Sequence, residues 1–231
     1  MPALTFDEVL KFNQNHGADG KFSSAPGGGG YRTYSDSEMH EIGAAYKGWE
    51  DGLTDSEKKS VAKYGMSSNE YNMKLRTGKP YWNEQYQATD TEYKALDSAL
   101  EKSKIPENMT VYRGANSAMF AGKDPESLVG KTIKDKGYAS TSAGQDVAEA
   151  YADDVICKIN CKAGSKGAYI ENVSNTVNFK SPIDYNSSDY KEDPGNKEIL
   201  LPRNSAFEIT AVNRTTVNGK EVWEVEMTYE G

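Results

Sequence analysis

The sequence predicts an α+β domain with a mostly antiparallel β core. Helix-start signals dominate residues 34–103, whereas short strand-like segments dominate the chain after Pro106. A chain in which helices come first and strands follow typically forms separate α and β layers. Between the last two predicted strands, Asn218-Gly219 is a strong hairpin signal, which favours antiparallel neighbours.

Length and composition predict one large domain, with or without an appendage. The 231 residues are 36% hydrophobic and 27% charged, and no apolar run approaches the roughly 18 residues of a membrane helix. The N-terminus lacks the basic start and apolar core of a secretory signal. A formal charge of −8 argues against sequence-independent wrapping of nucleic acid. We therefore expect no insertion into membranes. The sequence does not determine the oligomeric state, for which a monomer is the expectation.

Cysteine and histidine are scarce, which excludes several kinds of site. Cys157 and Cys161 are four residues apart and would share one face of a strand, so we interpret them as reduced core thiols. A zinc site needs about four ligands. His16 and His40 are the two histidines and lie far from both cysteines in sequence. The sequence therefore predicts no metal and no histidine-based nucleophile.

The first 34 residues are predicted to be an appendage, and residues 35–231 one domain. Four glycines at 27–30 follow no predicted strand, so they are interpreted as a flexible linker. Within the domain, residues 35–105 form a helical lobe and residues 106–231 a β core. An Asn-His…Gly-Lys-Phe-Ser-Ser segment in the appendage resembles short segments of bacteriophage head and morphogenesis proteins.

The helical lobe carries four capping boxes, in which a Ser or Thr side chain and a Glu three residues later bond each other's backbone amides. They are Ser35…Glu38, Thr54…Glu57, Ser67…Glu70 and Thr89…Glu92.

The β core is predicted from alternating or apolar segments bounded by turn residues. A helix from Ser142 to about Asp153 interrupts it. The predicted strands are residues 109–113, 138–142, 155–161, 168–171, 197–201, 206–213 and 221–229.

Glu198 is the candidate around which a site can be built. In a strand, Glu198 shares a face with Asn196 and Leu200, between apolar neighbours. A carboxylate in such a position is costly to bury without partners. Glu198 is therefore a candidate site residue, and an edge strand with Glu198 in solvent is the alternative.

Two upstream segments supply chemistry that complements Glu198. Arg113 ends a strand before a glycine, and Ser140, Thr141 and Ser142 place three hydroxyls on another. If the segments converge, they offer a cation for a phosphate, hydroxyls to orient a carboxylate, and a carboxylate to stabilise positive charge. That set suits heterolysis of a glycosidic bond in an anionic nucleotide. Taken singly, each is also explained by a surface ion pair, strand propensity or an edge position.

Four segments together resemble the clostridial C3-like and iota-like mono-ADP-ribosyltransferases. Across residues 35 to 229 they occur in that family's order and approximate spacing. They are Tyr71-Asn72-Met73-Lys74-Leu75-Arg76, Val111-Tyr112-Arg113-Gly114, Tyr138-Ala139-Ser140-Thr141-Ser142 and Asn196-Lys197-Glu198-Ile199-Leu200-Leu201-Pro202-Arg203.

The resemblance implies transfer of ADP-ribose from NAD, a co-substrate, to an acceptor with release of nicotinamide. It also implies a two-sheet, mostly antiparallel core under the helical lobe. By the same resemblance, Glu198 bonds the ribose 2′-hydroxyl and stabilises an oxocarbenium-like transition state, and Ser140 positions Glu198.

The resemblance also assigns the residues that hold NAD. Two arginines bind the phosphates, a glycine backbone holds the nicotinamide amide, and hydroxyls brace the site. An aromatic side chain packs on nicotinamide, although a helix core position is an equal interpretation for that residue. The set is Arg113 and Arg76 for phosphate, Asn72 from the same helical element as Arg76, Gly114 for the amide, Thr141 and Ser142 for bracing, and Tyr151 for stacking.

Recognition of the acceptor is the least determined function. The family commonly has Glu or Gln two residues before the catalytic Glu, where this chain has Asn196. An amide is no general base at neutral pH, which favours an asparagine, a nucleobase or another neutral acceptor over an activated guanidinium. The preceding segment, residues 180–194, is predicted to be the acceptor-recognition loop, with Tyr185 or Tyr190 as a contact.

Two other functions stay open on the sequence alone. One is an NAD glycohydrolase toxin of the same fold, and the other is a non-enzymatic phage structural or binding protein. The acceptor is a protein or a nucleic acid of a target cell. A phage-encoded enzyme would act in the bacterial cytoplasm, whereas a toxin or effector would be secreted or translocated.

Overall fold

The computed structural model describes residues 30–176 and 197–231 of the chain. No helix within those two ranges is long and apolar enough to cross a membrane. The α-helices in them are α1 (Met39–Ala45), α2 (Lys47–Asp51), α3 (Asp55–Thr77), α4 (Asp90–Glu101), α5 (Gln145–Ala150) and α6 (Glu171–Thr176).

Three of the four predicted capping boxes are confirmed. Thr54 and Thr89 cap α3 and α4, and each hydroxyl accepts a hydrogen bond from the amide three residues later. Ser35 forms its box at a short 3₁₀ turn that leads into α1. At Ser67 no capping box forms, but the backbone angles there are non-helical (φ −145°, ψ 51°) and divide α3 into two helical segments at a kink. The helix start predicted at Ser67 is therefore confirmed as the start of the second segment.

The β core largely follows the predicted strands, although the strand predicted at 206–213 extends to Val217 and two other differences occur. A three-residue strand was missed because it is short and mostly exposed, and the predicted strand at 168–171 gives way to α6 after two residues. The helix after Ser142 ends at Ala150, earlier than predicted. The strands are β1 (Met109–Ala115), β2 (Thr132–Lys134), β3 (Ala139–Ser142), β4 (Val155–Cys161), β5 (Ala168–Tyr169), β6 (Glu198–Leu201), β7 (Ala206–Val217) and β8 (Lys220–Tyr229).

The strands join in the order β2-β7-β8-β4-β1-β3-β6-β5. Among the described pairs, β4 and β8 are parallel and the others antiparallel. The mostly antiparallel core is confirmed, but the division into two sheets is not, because hydrogen bonding connects all eight described strands. The junction is narrow, since one residue pair, Tyr112 opposite Ser142, joins β1 to β3.

A cluster of buried tyrosines joins the helical lobe to the β core. Tyr64 and Tyr71 on α3 pack edge-to-face on Tyr138, which directly precedes β3, at centroid distances of 5.6 and 6.3 Å. Tyr93 on α4 packs on Tyr71 at 5.6 Å. These contacts fix the position of α3 over the start of β3.

The Glu57 side chain makes several buried polar contacts that hold the helical lobe together. Its side chain, only 5% exposed, accepts hydrogen bonds from Ser98 (2.6 Å), Lys102 (2.7 Å) and the Thr54 amide (2.8 Å). We expect Glu57→Ala to lower the free energy of unfolding by about 2–4 kcal/mol, since a cap contributes about 1 kcal/mol and a hydrogen bond to a charged group about 1.5–3. Urea denaturation at pH 7 measures this change in the free energy of unfolding.

The effect of this substitution should also depend on pH. Burial raises the pKa of Glu57, but the contacts with Lys102 and Ser98 outweigh burial and lower the pKa to about 2. The stabilisation is therefore present above the ordinary pKa of 4.5 and is lost as the pH falls toward 2. Asp51→Asn, which breaks the exposed Lys47–Asp51 pair, is the control and should change stability by less than about 1 kcal/mol. An equal loss in both variants would contradict the anchor role.

Candidate active site

A cleft of about 420 Å³ lies where α3, α5 and the ends of β1, β3 and β6 meet. It brings together all nine predicted site residues that the structure describes. The nine are Asn72, Arg76, Arg113, Gly114, Ser140, Thr141, Ser142, Tyr151 and Glu198.

Glu198 is buried in the floor of the cleft. The residue is 7% exposed because β6 lies between β3 and β5 rather than at an edge. The alternative of a solvent-exposed edge glutamate is therefore wrong. Glu198 pairs opposite Ser142 in the antiparallel register, which places Ser140 two residues along on the same face. From there the Ser140 hydroxyl donates a hydrogen bond to Glu198 Oε1.

The environment of Glu198 raises its pKa from 4.5 to about 7. Burial is the main cause, because a low-dielectric position disfavours the charged form. The negative charge of Glu171 raises the pKa further, and Glu171 Oε2 also accepts a bond from the Glu198 amide at 3.4 Å. The Ser140 bond and the charge of Arg113 oppose these effects. The Glu198 carboxyl group therefore titrates near neutral pH.

The two arginines of the cleft share one carboxylate that was missed from the sequence. Asp135 accepts from Arg76 Nε at 2.9 Å and Nη2 at 2.8 Å, and from Arg113 Nη1 at 3.1 Å. Burial raises the pKa of Asp135, but the two guanidinium groups outweigh burial and hold it below the ordinary value. Asp135 lies in a Lys-Asp-Lys-Gly turn. Such a turn looks like any solvated turn in sequence, so no local signal marked it.

Asn72 and the two hydroxyls that follow Ser140 are bound mainly to protein atoms. Asn72 donates to the Tyr64 hydroxyl and accepts from the Tyr138 amide, both at 2.8 Å, which secures the start of β3. Thr141 donates to the Ile199 carbonyl at 2.5 Å. The bracing function is consistent with these contacts.

Gly114 and Tyr151 form the opposite wall, where α5 packs on the end of β1. A Cβ atom at Gly114 would lie 2.4 Å from the Ala148 carbonyl oxygen, so this approach requires glycine. Tyr151 follows the last residue of α5 and is 65% exposed while lining the cleft. The interpretation of Tyr151 as a helix core residue is therefore wrong.

A second cavity of about 630 Å³ adjoins the first and shares Arg76, Arg113, Gly114 and Tyr151 with it. We refer to the two adjoining cavities as the groove. Because both arginines line each cavity, the groove suits a long anionic ligand. Within residues 30–176 and 197–231, no group of three or more His, Cys, Asp or Glu could hold a metal ion. Three predicted residues, Tyr185, Tyr190 and Asn196, lie outside the described residues.

Residues 43–229 match the sequence model of the ADP-ribosyltransferase exoenzyme family. Among characterised proteins, the chain is similar to the mono-ADP-ribosyltransferase C3 of a Clostridium botulinum D phage. The two are 28% identical over 198 residues, which cover 78% of this chain and 70% of the relative.

Solved structures of toxins share the fold. Plx2a, an ADP-ribosyltransferase toxin from Paenibacillus larvae, superposes with a TM-score of 0.68 at 20% identity, covering 86% of this chain and 98% of the toxin. C3stau2 from S. aureus, solved with NAD, gives a TM-score of 0.61 at 19% identity and covers 87% of this chain and 99% of that one.

Replacement of Glu198 by Gln should stabilise the protein above neutral pH. Because the folded pKa lies above the ordinary one, folding costs more once Glu198 ionises, and stability falls as the pH rises from 4.5 to about 7. At 1.36 kcal/mol per unit, Glu198→Gln should gain roughly 2–4 kcal/mol at pH 8. Chemical denaturation at pH 8 and pH 4 measures the gain.

The gain should nearly vanish at pH 4, where the carboxyl is protonated in the folded protein and mostly protonated in the unfolded protein. Glu221→Gln is the matched control, since Glu221 is 71% exposed and its substitution should change stability little at either pH. A loss of stability in Glu198→Gln at pH 8 would refute the raised pKa.

Proposed function

The chain belongs to the ADP-ribosyltransferase exoenzyme family and is an NAD-dependent mono-ADP-ribosyltransferase, and we propose that Glu198, Ser140 and Arg113 perform its reaction in the cleft. The observation that carries the assignment is the bond from Ser140 to a buried Glu198 in the cleft that the arginine pair also lines. Glu198 and Ser140 come from paired strands, and Arg113 comes from the strand next to them.

The reaction breaks the bond between C1′ of the ribose and N1 of nicotinamide. Nicotinamide leaves with the electron pair as a neutral molecule, and positive charge develops on the ribose ring. Ionised Glu198 stabilises that charge and accepts a hydrogen bond from the 2′-hydroxyl. The hydrogen bond from Ser140 fixes the orientation of the carboxylate. The nucleophile of the acceptor then bonds to C1′ and loses its proton.

The groove also fits the rest of NAD. Arg76 and Arg113 line both cavities, which supports their proposed role in binding the central diphosphate. Asp135 holds both guanidinium groups in position before the ligand arrives, which reduces the ordering cost of binding. Tyr151 lines the cleft at an exposed position, which supports its proposed packing on the nicotinamide ring.

The acceptor is proposed to be a macromolecule, either protein or nucleic acid, and Asn196 with Tyr185 or Tyr190 is proposed to contact it. The matched residues 43–229 support a catalytic domain that begins near residue 35, after an N-terminal appendage. The similarity to a phage-encoded enzyme supports a phage origin, with action in the bacterial cytoplasm or as an exported toxin.

Glu198→Gln should abolish catalysis without abolishing binding. We expect the rate of nicotinamide release to fall by about a thousandfold, since the main electrostatic stabilisation of the transition state is lost. NAD should still raise the melting temperature of the variant, as expected of a ligand that binds only the folded state. Liquid chromatography of nicotinamide measures the rate, and Glu221→Gln should retain the wild-type rate.

The same assay, run with isotope-labelled NAD and a cell lysate, separates transfer from hydrolysis. Label in protein or in nucleic acid identifies the class of acceptor, whereas nicotinamide release without labelled macromolecule favours the glycohydrolase. Undiminished turnover by Glu198→Gln would refute the assignment.

The dependence of kcat/KM on pH should report Glu198. Only the ionised carboxylate stabilises positive charge, so kcat/KM for NAD should rise with pH through an apparent pKa near 7. Glu171→Gln removes a negative charge that raises this pKa and should shift the rise to lower pH. The charge of Arg113 opposes Glu171 and remains.

Steady-state rates between pH 5 and pH 9 test this dependence. Glu126→Gln, at an exposed position, should leave the midpoint unchanged. A midpoint that is identical in the wild type and Glu171→Gln would show that another group controls the rate.

A further inference from the structure

We propose that Lys197 is a positioning residue that sets the direction in which Glu198 enters the cleft. The inference rests on the catalytic role proposed above for Glu198. Lys197 directly precedes β6 and is only 5% exposed. Lysine is rarely buried so fully unless its charge is paired. Its contacts therefore indicate what holds it there.

The Lys197 ammonium group bridges two distant carboxylates. Its Nζ lies 2.6 Å from Asp36 Oδ1, in the 3₁₀ turn before α1, and 3.1 Å from Asp146 Oδ2, in the first turn of α5. Burial lowers the pKa of Lys197, but the two carboxylates outweigh burial and raise it above the ordinary value. The lysine is thus charged at every pH at which the enzyme would work.

The backbone of Lys197 is as unusual as its side chain. Its φ of 48° lies in the left-handed region, which is unfavourable for a residue with a side chain because Cβ crowds the following carbonyl oxygen. Such a conformation persists where the surroundings impose it. Here the Lys197 carbonyl accepts a hydrogen bond from the Ala143 amide at 2.9 Å, and the ion pair with Asp36 holds the end of the Lys197 side chain.

The bridge also ties the strand that carries Glu198 to the wall of the cleft. Gly144 precedes α5 and lies so close that a Cβ there would be 2.8 Å from Lys197 Cδ. Directly after Asp146, Val147 and Ala148 line the cleft. Lys197 therefore joins the entry of β6 to the exit of β3 through its carbonyl, and to the start of α5 and the turn before α1 through its ammonium group.

Loss of the cation should misplace the catalytic carboxylate. Without the bridge, the bond from the Ala143 amide remains but the side chain no longer holds residue 197, so we expect the backbone to relax and the Glu198 carboxylate to move away from Ser140. A shift of about 1 Å at a reacting group can cost about a hundredfold in rate. Arg76 and Arg113 have no contact with the bridge, so binding of NAD should be spared.

Lys197→Met is the primary test, because Met keeps an unbranched apolar stem and removes the charge. We expect kcat for nicotinamide release to fall between tenfold and about a hundredfold. KM for NAD should change by less than about twofold, since an interaction made chiefly in the transition state affects kcat. Lys197→Arg, which restores the cation, should recover part of kcat. The melting temperature without NAD separates misplacement from unfolding.

A double-mutant cycle with Asp146 tests whether the bridge is the cause. Asp146→Asn should lower kcat in the wild-type protein and have little further effect in Lys197→Met, since coupled residues are not additive. Lys47→Met is the control, because Lys47 also pairs with two carboxylates, Glu50 and Asp51, but does so at an exposed position within α2 and away from the cleft. Its kcat and KM should equal those of the wild type.

Several outcomes would overturn the positioning role. These are an unchanged kcat in Lys197→Met, a rise in KM alone, or a loss of activity that simply follows a lower melting temperature. Additive effects in the cycle would also contradict it. A wild-type protein that releases no nicotinamide would refute the proposed function as well, whereas an active wild type with an equally active Lys197→Met refutes the positioning role alone.

Discussion

The burial of one carboxylate, that of Glu198, is the constraint on which the site depends. A glutamate on an inner strand loses most of its hydration, and the hydrogen bond from Ser140 replaces only part of it. The result is a pKa near 7 and a cost in stability at neutral pH. That cost is characteristic of active sites, in which a group is tuned for reaction rather than for folding.

The structure holds the strand of this carboxylate at both ends. At the entry, the Lys197 ammonium group bonds Asp36 and Asp146. After the exit, the Arg203 guanidinium binds Asp97 on α4 through two bonds of 3.0 and 2.6 Å. Both lobes thus fix β6, and the direction of Glu198 depends on contacts spread over most of the domain.

The arginine pair is likewise held in place by an ion pair within the protein. Two guanidinium groups side by side repel each other, and the shared Asp135 carboxylate relieves that repulsion before a ligand binds. Asp135 also accepts a bond from the Gly137 amide at 2.9 Å, which fixes the turn leading to Tyr138 and β3. The groove is therefore shaped and charged in the absence of substrate, as efficient electrostatic catalysis requires.

The sequence by itself determined the features that are encoded locally. Capping boxes at Thr54 and Thr89 and the Asn218-Gly219 turn are written in a few consecutive residues, and so are the motifs around Arg113, Ser140 and Glu198. Only the tertiary structure decided which charges meet: Asp135 between the arginines, Glu171 beside Glu198, and Lys197 across to Asp36, which is 161 positions away. Such pairs leave no local pattern, because a charged residue in a turn looks the same whether it faces solvent or a distant partner.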